Sequence, residues 1–209
     1  MKRDVLVLLV PVVCLFGLCT GVRAETSPWG ATLFYGQLTE THFEEIFFSR
    51  PRVEERYLLG GMLRRELGAV REALEWAPKG LFLDAEGGLL HKWGDWKGVD
   101  HHFQEAVLSA NLRYEFGSNP LRLDSISFGN GLSFTMEKPE YEKEITLNER
   151  TSQLLYYLMV ETAFRVPAAP DWELVLRVHH RSGGYGLING VNGGSNYLCL
   201  CVRYNFAWF

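Results

Sequence analysis

The sequence predicts an all-β fold: an eight-stranded antiparallel transmembrane β-barrel, preceded by a cleavable signal peptide. Three observations predict it. The N-terminus has the pattern of an export signal, and no further long apolar helix follows it. The rest of the chain contains about eight segments in which apolar and polar residues alternate between turn residues, which is typical of strands with one apolar face. The connections between these segments tend to be alternately short and long, as in outer-membrane barrels.

The export signal is predicted to occupy residues 1–24. A positively charged start is followed by an apolar run from Val5 to Leu18, and Val22-Arg-Ala24 fits a small-residue cleavage site. The apolar run is shorter than the roughly 20 residues that a membrane-spanning helix needs. Cleavage after Ala24 leaves one domain, the outer-membrane barrel of residues 25–209.

The composition excludes some classes of partner. The formal net charge of −4 argues against a nucleic-acid-binding surface, so no nucleic-acid partner is expected. Cleavage of the signal leaves Cys199 and Cys201, which a strand would place about 6.6 Å apart on one face, at the long edge of disulfide geometry. We interpret them as small apolar side chains. The histidines near Asp100 match no metal-ligand spacing, so no metal and no other cofactor is expected.

The predicted strands cover most of the mature chain. They lie near residues 29–38, 54–67, 80–91, 103–116, 121–135, 151–166, 171–182 and 196–208. One face of several segments carries acidic and basic residues, which are expected to pair inside a narrow lumen rather than to line a pore. These residues are Glu105, Arg113, Glu161, Arg165, Glu173, Arg177 and Arg203. The last segment finishes with Trp208-Phe209, which resembles the sorting signal of outer-membrane proteins.

The connections predict which ends of the strands face outward. If the first strand runs outward, the periplasmic connections are 68–79, 117–120 and 167–170, of which the last two are tight. The first is long enough to carry a helical turn through residues 69–74. The outer connections are then 39–53, 92–102, 137–150 and 183–195, and they are longer.

The seventh segment carries the residues that suggest chemistry. Successive strand side chains point to opposite faces, so the apolar face that begins at Trp172 and includes Val178 ends with His180 and Ser182. A base and a potential nucleophile therefore lie where an apolar face reaches the cell exterior. If that face contacts lipid, the pair lies at the membrane surface.

An exported eight-stranded barrel with His180-Arg-Ser182 near the end of strand seven resembles the lipid A deacylases of the outer membrane, the PagL type. In architecture the resemblance covers the whole mature chain. In motif it covers only the last part of the chain. It implies an esterase that hydrolyses an ester-linked acyl chain of lipid A in lipopolysaccharide, with Ser182 as nucleophile and His180 as base. It also implies the outer membrane of a Gram-negative cell as the location, with outer-membrane lipids around the barrel.

Two departures from that family concern the groups around the pair. Gly183 follows the serine where the family has Asn, and no Asp or Glu occurs after Glu173. Asn192 and Asn196 are both candidates to orient the histidine, since asparagine does this in Cys-His-Asn sites. An acid from another loop is the alternative, with Glu137, Glu140 and Glu142 as candidates. Backbone N–H groups of Gly183 and Gly184 are candidate donors to an oxyanion.

Other functions stay open at this point. A non-catalytic structural or adhesion-type barrel, acting through its outer loops, is the main alternative to the hydrolase. A small channel is a third class, which a lumen filled by side chains would disfavour. A homodimer is possible.

Overall fold

The computed structural model describes residues 28–117 and 119–207, which form one closed barrel. The predicted signal peptide of residues 1–24 and the terminal Trp208-Phe209 lie outside the described residues. In the described part of the chain, no helix has the length and apolar character needed to cross a membrane.

Eight antiparallel strands follow one another around the barrel, and the last pairs with the first. They are β1 (Trp29–Thr39), β2 (Val53–Ala69), β3 (Leu81–Trp96), β4 (Val99–Glu115), β5 (Leu123–Thr135), β6 (Leu154–Arg165), β7 (Trp172–Ser182) and β8 (Gly194–Phe206). The predicted fold class is thus confirmed, and each predicted segment corresponds to one strand. Closure leaves no unpaired sheet edge, which a strand surrounded by lipid requires.

The outer face of the barrel is an apolar belt. Large aliphatic side chains project from it with high exposure, among them Leu33 on β1 at 61% and Leu108 on β4 at 68%. The belt includes Leu59, Leu63, Leu89, Leu112, Leu132 and Val202. A soluble protein rarely exposes a continuous apolar surface of this extent, whereas a bilayer covers it.

The lumen is filled by paired charges. Arg177 donates to Glu86 at 2.8 Å and to Glu161 at 2.5 Å, and Arg203 also donates to Glu161 at 2.8 Å. Such pairs compensate the cost of burying each charge only when both partners are present. The interpretation of the polar faces as structural pairs is confirmed. Cys199 and Cys201 are buried, free thiols.

The connection between β3 and β4 differs from the prediction. A long outer loop over residues 92–102 was expected, but both strands continue and meet at a turn formed by Lys97 and Gly98. Both have positive φ, 55° and 76°, as a type I′ hairpin turn requires. The prediction was wrong because a strand that rises above the lipid no longer needs an apolar face, so the alternating pattern ends before the hydrogen bonding does.

The other outer connections are longer than this turn. L1 (residues 40–52) contains a 3₁₀ turn, Phe43–Glu45, and L3 (residues 136–153) contains the short helix α2, Glu142–Ile145. L4 covers residues 183–193. At the opposite end, the helical turn predicted after β2 is present as α1, Val70–Ala73.

Candidate active site at the outer end of β7

The structure places His180 and Ser182 on the outward side of β7, as the alternation predicts, with His180 half-buried and Ser182 at 9% exposure. Their neighbours His179 and Arg181 are buried in the lumen at 0% exposure. Toward the other end of β7, the same outer face continues with Val178 and further apolar residues. The pair therefore lies where the apolar belt ends and the outer connections begin.

Asn196 is the asparagine that reaches His180. It stands directly opposite His180 in the register of β7 and β8, and its Oδ1 lies 2.6 Å from the Nδ1 of His180. Its Nδ2 donates to the carbonyl oxygen of Thr41 at 2.9 Å, so the amide oxygen is the atom that faces the ring. In the tautomer that donates from Nδ1, Nε2 is the basic nitrogen.

Asn192 has a different place. Its N–H donates to the side chain of Asn148 at 3.0 Å, and its carbonyl accepts from the N–H of Leu147 at 2.7 Å. These bonds join L4 to L3. The sequence left both asparagines open as candidates, and the strand register brings Asn196 to the histidine.

L1 contributes contacts that the sequence did not reveal. The ring of Phe43 lies 4.9 Å from the His180 ring, centroid to centroid, and it also meets Phe47 edge to face at 5.8 Å. The base of the loop is held by Thr39, whose hydroxyl donates to the carbonyl of Arg52 at 2.7 Å. Only the closure of β1 on β8, which pairs Thr39 with Asn196, places L1 beside β7.

The two glycines after the serine behave differently. The N–H of Gly184 is directed at the Oγ of Ser182, 3.4 Å away. The N–H of Gly183 donates instead to the carbonyl of Gly193 at 3.1 Å, so it is already engaged and is not a free oxyanion donor. A Cβ at Gly183 would lie 1.9 Å from the carbonyl oxygen of Val191, so this close passage of L4 requires glycine.

Of the loop acids considered, Glu142 turns toward the lumen. Its carboxylate accepts from Ser195 at 2.9 Å and Thr151 at 2.8 Å, and it also pairs with Arg181. It is completely buried and fastens L3 to the outer ends of β7 and β8. Glu140 pairs with Lys143 on the surface, and Glu137 is exposed. Glu142 thus pairs with Arg181, the residue between His180 and Ser182, and is not the group that orients His180.

Beside Glu142, Tyr141 is buried at the end of the lumen that L3 covers. Its hydroxyl lies 2.8 Å from the hydroxyl of Tyr197. Burial, followed by the negative charge of Glu142, raises the pKa of Tyr141, so its hydroxyl stays neutral. A hydrogen bond between two neutral tyrosine hydroxyls thus joins L3 to β8 at this end of the lumen.

Comparison with known proteins adds the fold context. No protein-family model matches the sequence, and no curated protein matches it. The barrel is similar to the crystal structure of the outer membrane enzyme PagL, with a TM-score of 0.54 and 11% identity over 85% of this chain and 99% of that one. The chain has the fold of an outer-membrane β-barrel. Neisserial surface protein A (NspA) also matches, with a TM-score of 0.47 and 13% identity over 88% of this chain and 100% of that one.

At these identities the similarity concerns the fold of the outer-membrane barrel. In such barrels short turns lie at the periplasmic end and longer loops at the exterior. In this chain L1, L3 and L4 lie together at one end of the barrel, and His180 and Ser182 lie at the border of the apolar belt next to that end.

Proposed function

We propose that this barrel is a serine-dependent carboxylic ester hydrolase of the lipid A 3-O-deacylase type. It would remove an ester-linked acyl chain from lipopolysaccharide in the outer leaflet. The observation that carries the proposal is the 2.6 Å hydrogen bond between His180 and Asn196. His180 lies two residues before Ser182, on the same side of β7. Asn196 thereby orients the histidine in a sequence that has no Asp or Glu after Glu173 to do so.

In the proposed reaction, Nε2 of His180 takes the proton of Ser182 while Oγ attacks the carbonyl carbon of the acyl ester. The N–H of Gly184 would donate to the oxyanion, a type of contact that contributes about 2.7–4 kcal/mol. The protonated histidine returns the proton to the departing sugar hydroxyl, which leaves an acyl-enzyme. Water, deprotonated by the same nitrogen, releases the fatty acid and restores Ser182.

This reaction requires Ser182 and His180 to approach each other. Residues two apart on a flat strand are separated by about 6.6 Å at Cα. Ser182 is the last residue of β7 and still pairs with Gly194 of β8, and the backbone turns away directly afterwards, at Gly184, whose φ is 57°. The side chains can then turn toward one another at the end of β7.

The position of the pair favours a lipid as substrate. Leu174 and Leu176 of β7 face the acyl chains, Val178 beyond them is buried, and His180 and Ser182 lie further out on the same face of the strand. The ester bond of a membrane lipid lies at this same border, between the apolar chains and the polar headgroup. In the outer leaflet of a Gram-negative cell the lipid that carries ester-linked acyl chains is lipopolysaccharide.

The test is mass spectrometry of lipid A from cells that express the wild type, Ser182→Ala or His180→Ala. We expect loss of one acyl chain with the wild type only. Thr162→Ala, which removes a hydroxyl from the lipid-facing side of β6, is the matched control and should act like the wild type. Unchanged lipid A in every strain, with each barrel folded in the membrane, would refute the hydrolase.

The outer loops favour the adhesion-type barrel as a second candidate. They expose large apolar side chains, with Phe48 of L1 at 92%, Tyr185 of L4 at 93% and Leu187 of L4 at 90% exposure. Exposed apolar groups on loops suit contact with another surface. Adhesion of wild-type cells to host-type surfaces, lost in a Phe48→Ser/Tyr185→Ser/Leu187→Ser variant while lipid A stays intact, would support this candidate.

A further inference from the structure

A second group of polar side chains lies on the lipid-facing side of the opposite wall. It is built by β2, β3 and β4, about half a turn around the closed barrel from β7 and β8. We call it the β3–β4 patch. It consists of Tyr57, His91, Trp93, Asp100, His102 and Gln104.

The rings of the β3–β4 patch form a continuous ladder across three strands. His91 stacks on His102 with centroids 5.6 Å apart and planes inclined by 13°, and it stacks on Trp93 at 5.8 Å and 17°. Trp93 in turn meets Tyr57 at 5.7 Å. Strand register explains the ladder, because Trp93 is directly opposite Tyr57 and His91 is the diagonal neighbour of His102. The result is a broad aromatic surface.

Hydrogen-bonding groups border this surface. Nε2 of His102 lies 3.0 Å from the carboxylate of Asp100, and the amide of Gln104 lies 3.3 Å from Nδ1 of His91. The side chains of Asp100 and His102 remain 70% and 53% exposed. The patch therefore combines aromatic faces with exposed carboxylate, amide and imidazole groups.

The patch lies at the border of the apolar belt. Leu89, two residues below His91 on the same face of β3, is 62% exposed, and Leu108 of β4 is 68% exposed. Above this level the same faces carry His91, Gln104 and His102. The patch is thus continuous with the surface that contacts lipid chains, and it begins where lipid headgroups begin.

We propose that the β3–β4 patch binds the sugar headgroup of a glycolipid of the outer leaflet. A pyranose ring presents a C–H face that stacks on aromatic rings and hydroxyls that need paired donors and acceptors. An ordinary interfacial girdle is enriched in Trp and Tyr. The two histidines, Asp100 and Gln104 add donors and acceptors that sugar hydroxyls can share and that a hydrocarbon chain cannot use.

This binding site is separate from the proposed reaction. It shares no residue with His180, Ser182 or Asn196 and lies on the other wall of the barrel. Its effect would be to hold a lipopolysaccharide molecule against β3 and β4 whether or not the barrel cleaves one. The test therefore uses Ser182→Ala protein, in which hydrolysis cannot change the lipid.

The experiment is native mass spectrometry of the refolded mature barrel in detergent, titrated with rough lipopolysaccharide or with phosphatidylglycerol. The variant is His91→Ala/His102→Ala. Trp172→Ala is the matched control, since it removes an exposed lipid-facing ring, in contact with the Tyr204 ring, from the opposite end of the same belt. Slower migration of the folded form on unheated gels confirms that each barrel is intact.

We expect the parent protein to retain lipopolysaccharide in preference to phosphatidylglycerol. The double variant should bind lipopolysaccharide at least ten-fold more weakly, and Trp172→Ala should match the parent. Equal retention of lipopolysaccharide by parent and double variant would overturn the proposal. So would equal loss of both lipids, which marks a general interfacial girdle, or conversion of a dimer to a monomer by the double variant, which marks a contact between two copies.

Discussion

Oδ1 of Asn196 lies 2.6 Å from Nδ1 of His180, while Nδ2 of the same amide donates to the carbonyl of Thr41. The second bond spans 155 residues of sequence and links β8 to L1, next to the pairing of β8 with β1 that closes the barrel. One asparagine thus ties the candidate base to the first outer loop. The consequences can be tested at each end of this link.

Asn196→Leu is expected to slow ester hydrolysis by about 10- to 150-fold. A hydrogen bond to a group that becomes charged contributes about 1.5–3 kcal/mol, and each 1.36 kcal/mol corresponds to a tenfold change in rate. The measurement is the rate of fatty-acid release per folded barrel. Asn192→Leu is the control, because the bonds from Asn192 to L3 use its backbone and survive the change. Equal losses in both variants would contradict the orienting role of Asn196.

Phe43→Ala is expected to uncover His180. The Phe43 and His180 rings are in contact, and an aromatic pair contributes roughly 0.5–1.5 kcal/mol beyond its buried area. The packing of L1 against His180 should therefore become less favourable by about 1–2 kcal/mol. This corresponds to a factor of about 5–30 in the ratio of molecules with L1 packed on His180 to molecules with L1 displaced.

The measurement is the rate at which diethylpyrocarbonate modifies His180, followed by peptide mass spectrometry. It should rise in Phe43→Ala. Phe48→Ala removes a ring from the same loop that is 92% exposed and should leave the rate unchanged. An unchanged rate in Phe43→Ala would show that L1 does not shield the histidine. This result would not depend on whether the barrel is an enzyme.

Glu142→Ala is expected to destabilise the barrel by about 3–5 kcal/mol, because it removes one partner of a buried ion pair and leaves Arg181 without its carboxylate. Glu140→Ala breaks a partly exposed pair with Lys143 in the same loop and should cost less than about 1 kcal/mol. Urea unfolding of the refolded barrels, monitored by tryptophan fluorescence, measures both. Similar midpoints for the two variants would be inconsistent with Glu142 as the anchor of L3.

Much of the fold follows from local pattern. The side-chain period of two identifies strands and separates the lumen face from the lipid face, so the outward position of His180 and Ser182 on β7 could be predicted from the sequence. The pattern fails where its physical cause ends. Around Lys97 both strands extend beyond the apolar belt, and polar residues mix there with Trp96 and Val99, so the alternation ends and the sequence predicts a loop.

The sequence by itself determined that the chain alternates as an eight-stranded barrel, which faces are apolar, and that a histidine and a serine end the apolar face of β7. Only the tertiary structure decided their surroundings. It selected Asn196 over Asn192, added Thr41 and Phe43 of L1, engaged the N–H of Gly183, and turned Glu142 into the lumen. The reason is physical: alternation is a property of neighbouring residues, whereas register and barrel closure bring together residues that are far apart in the chain.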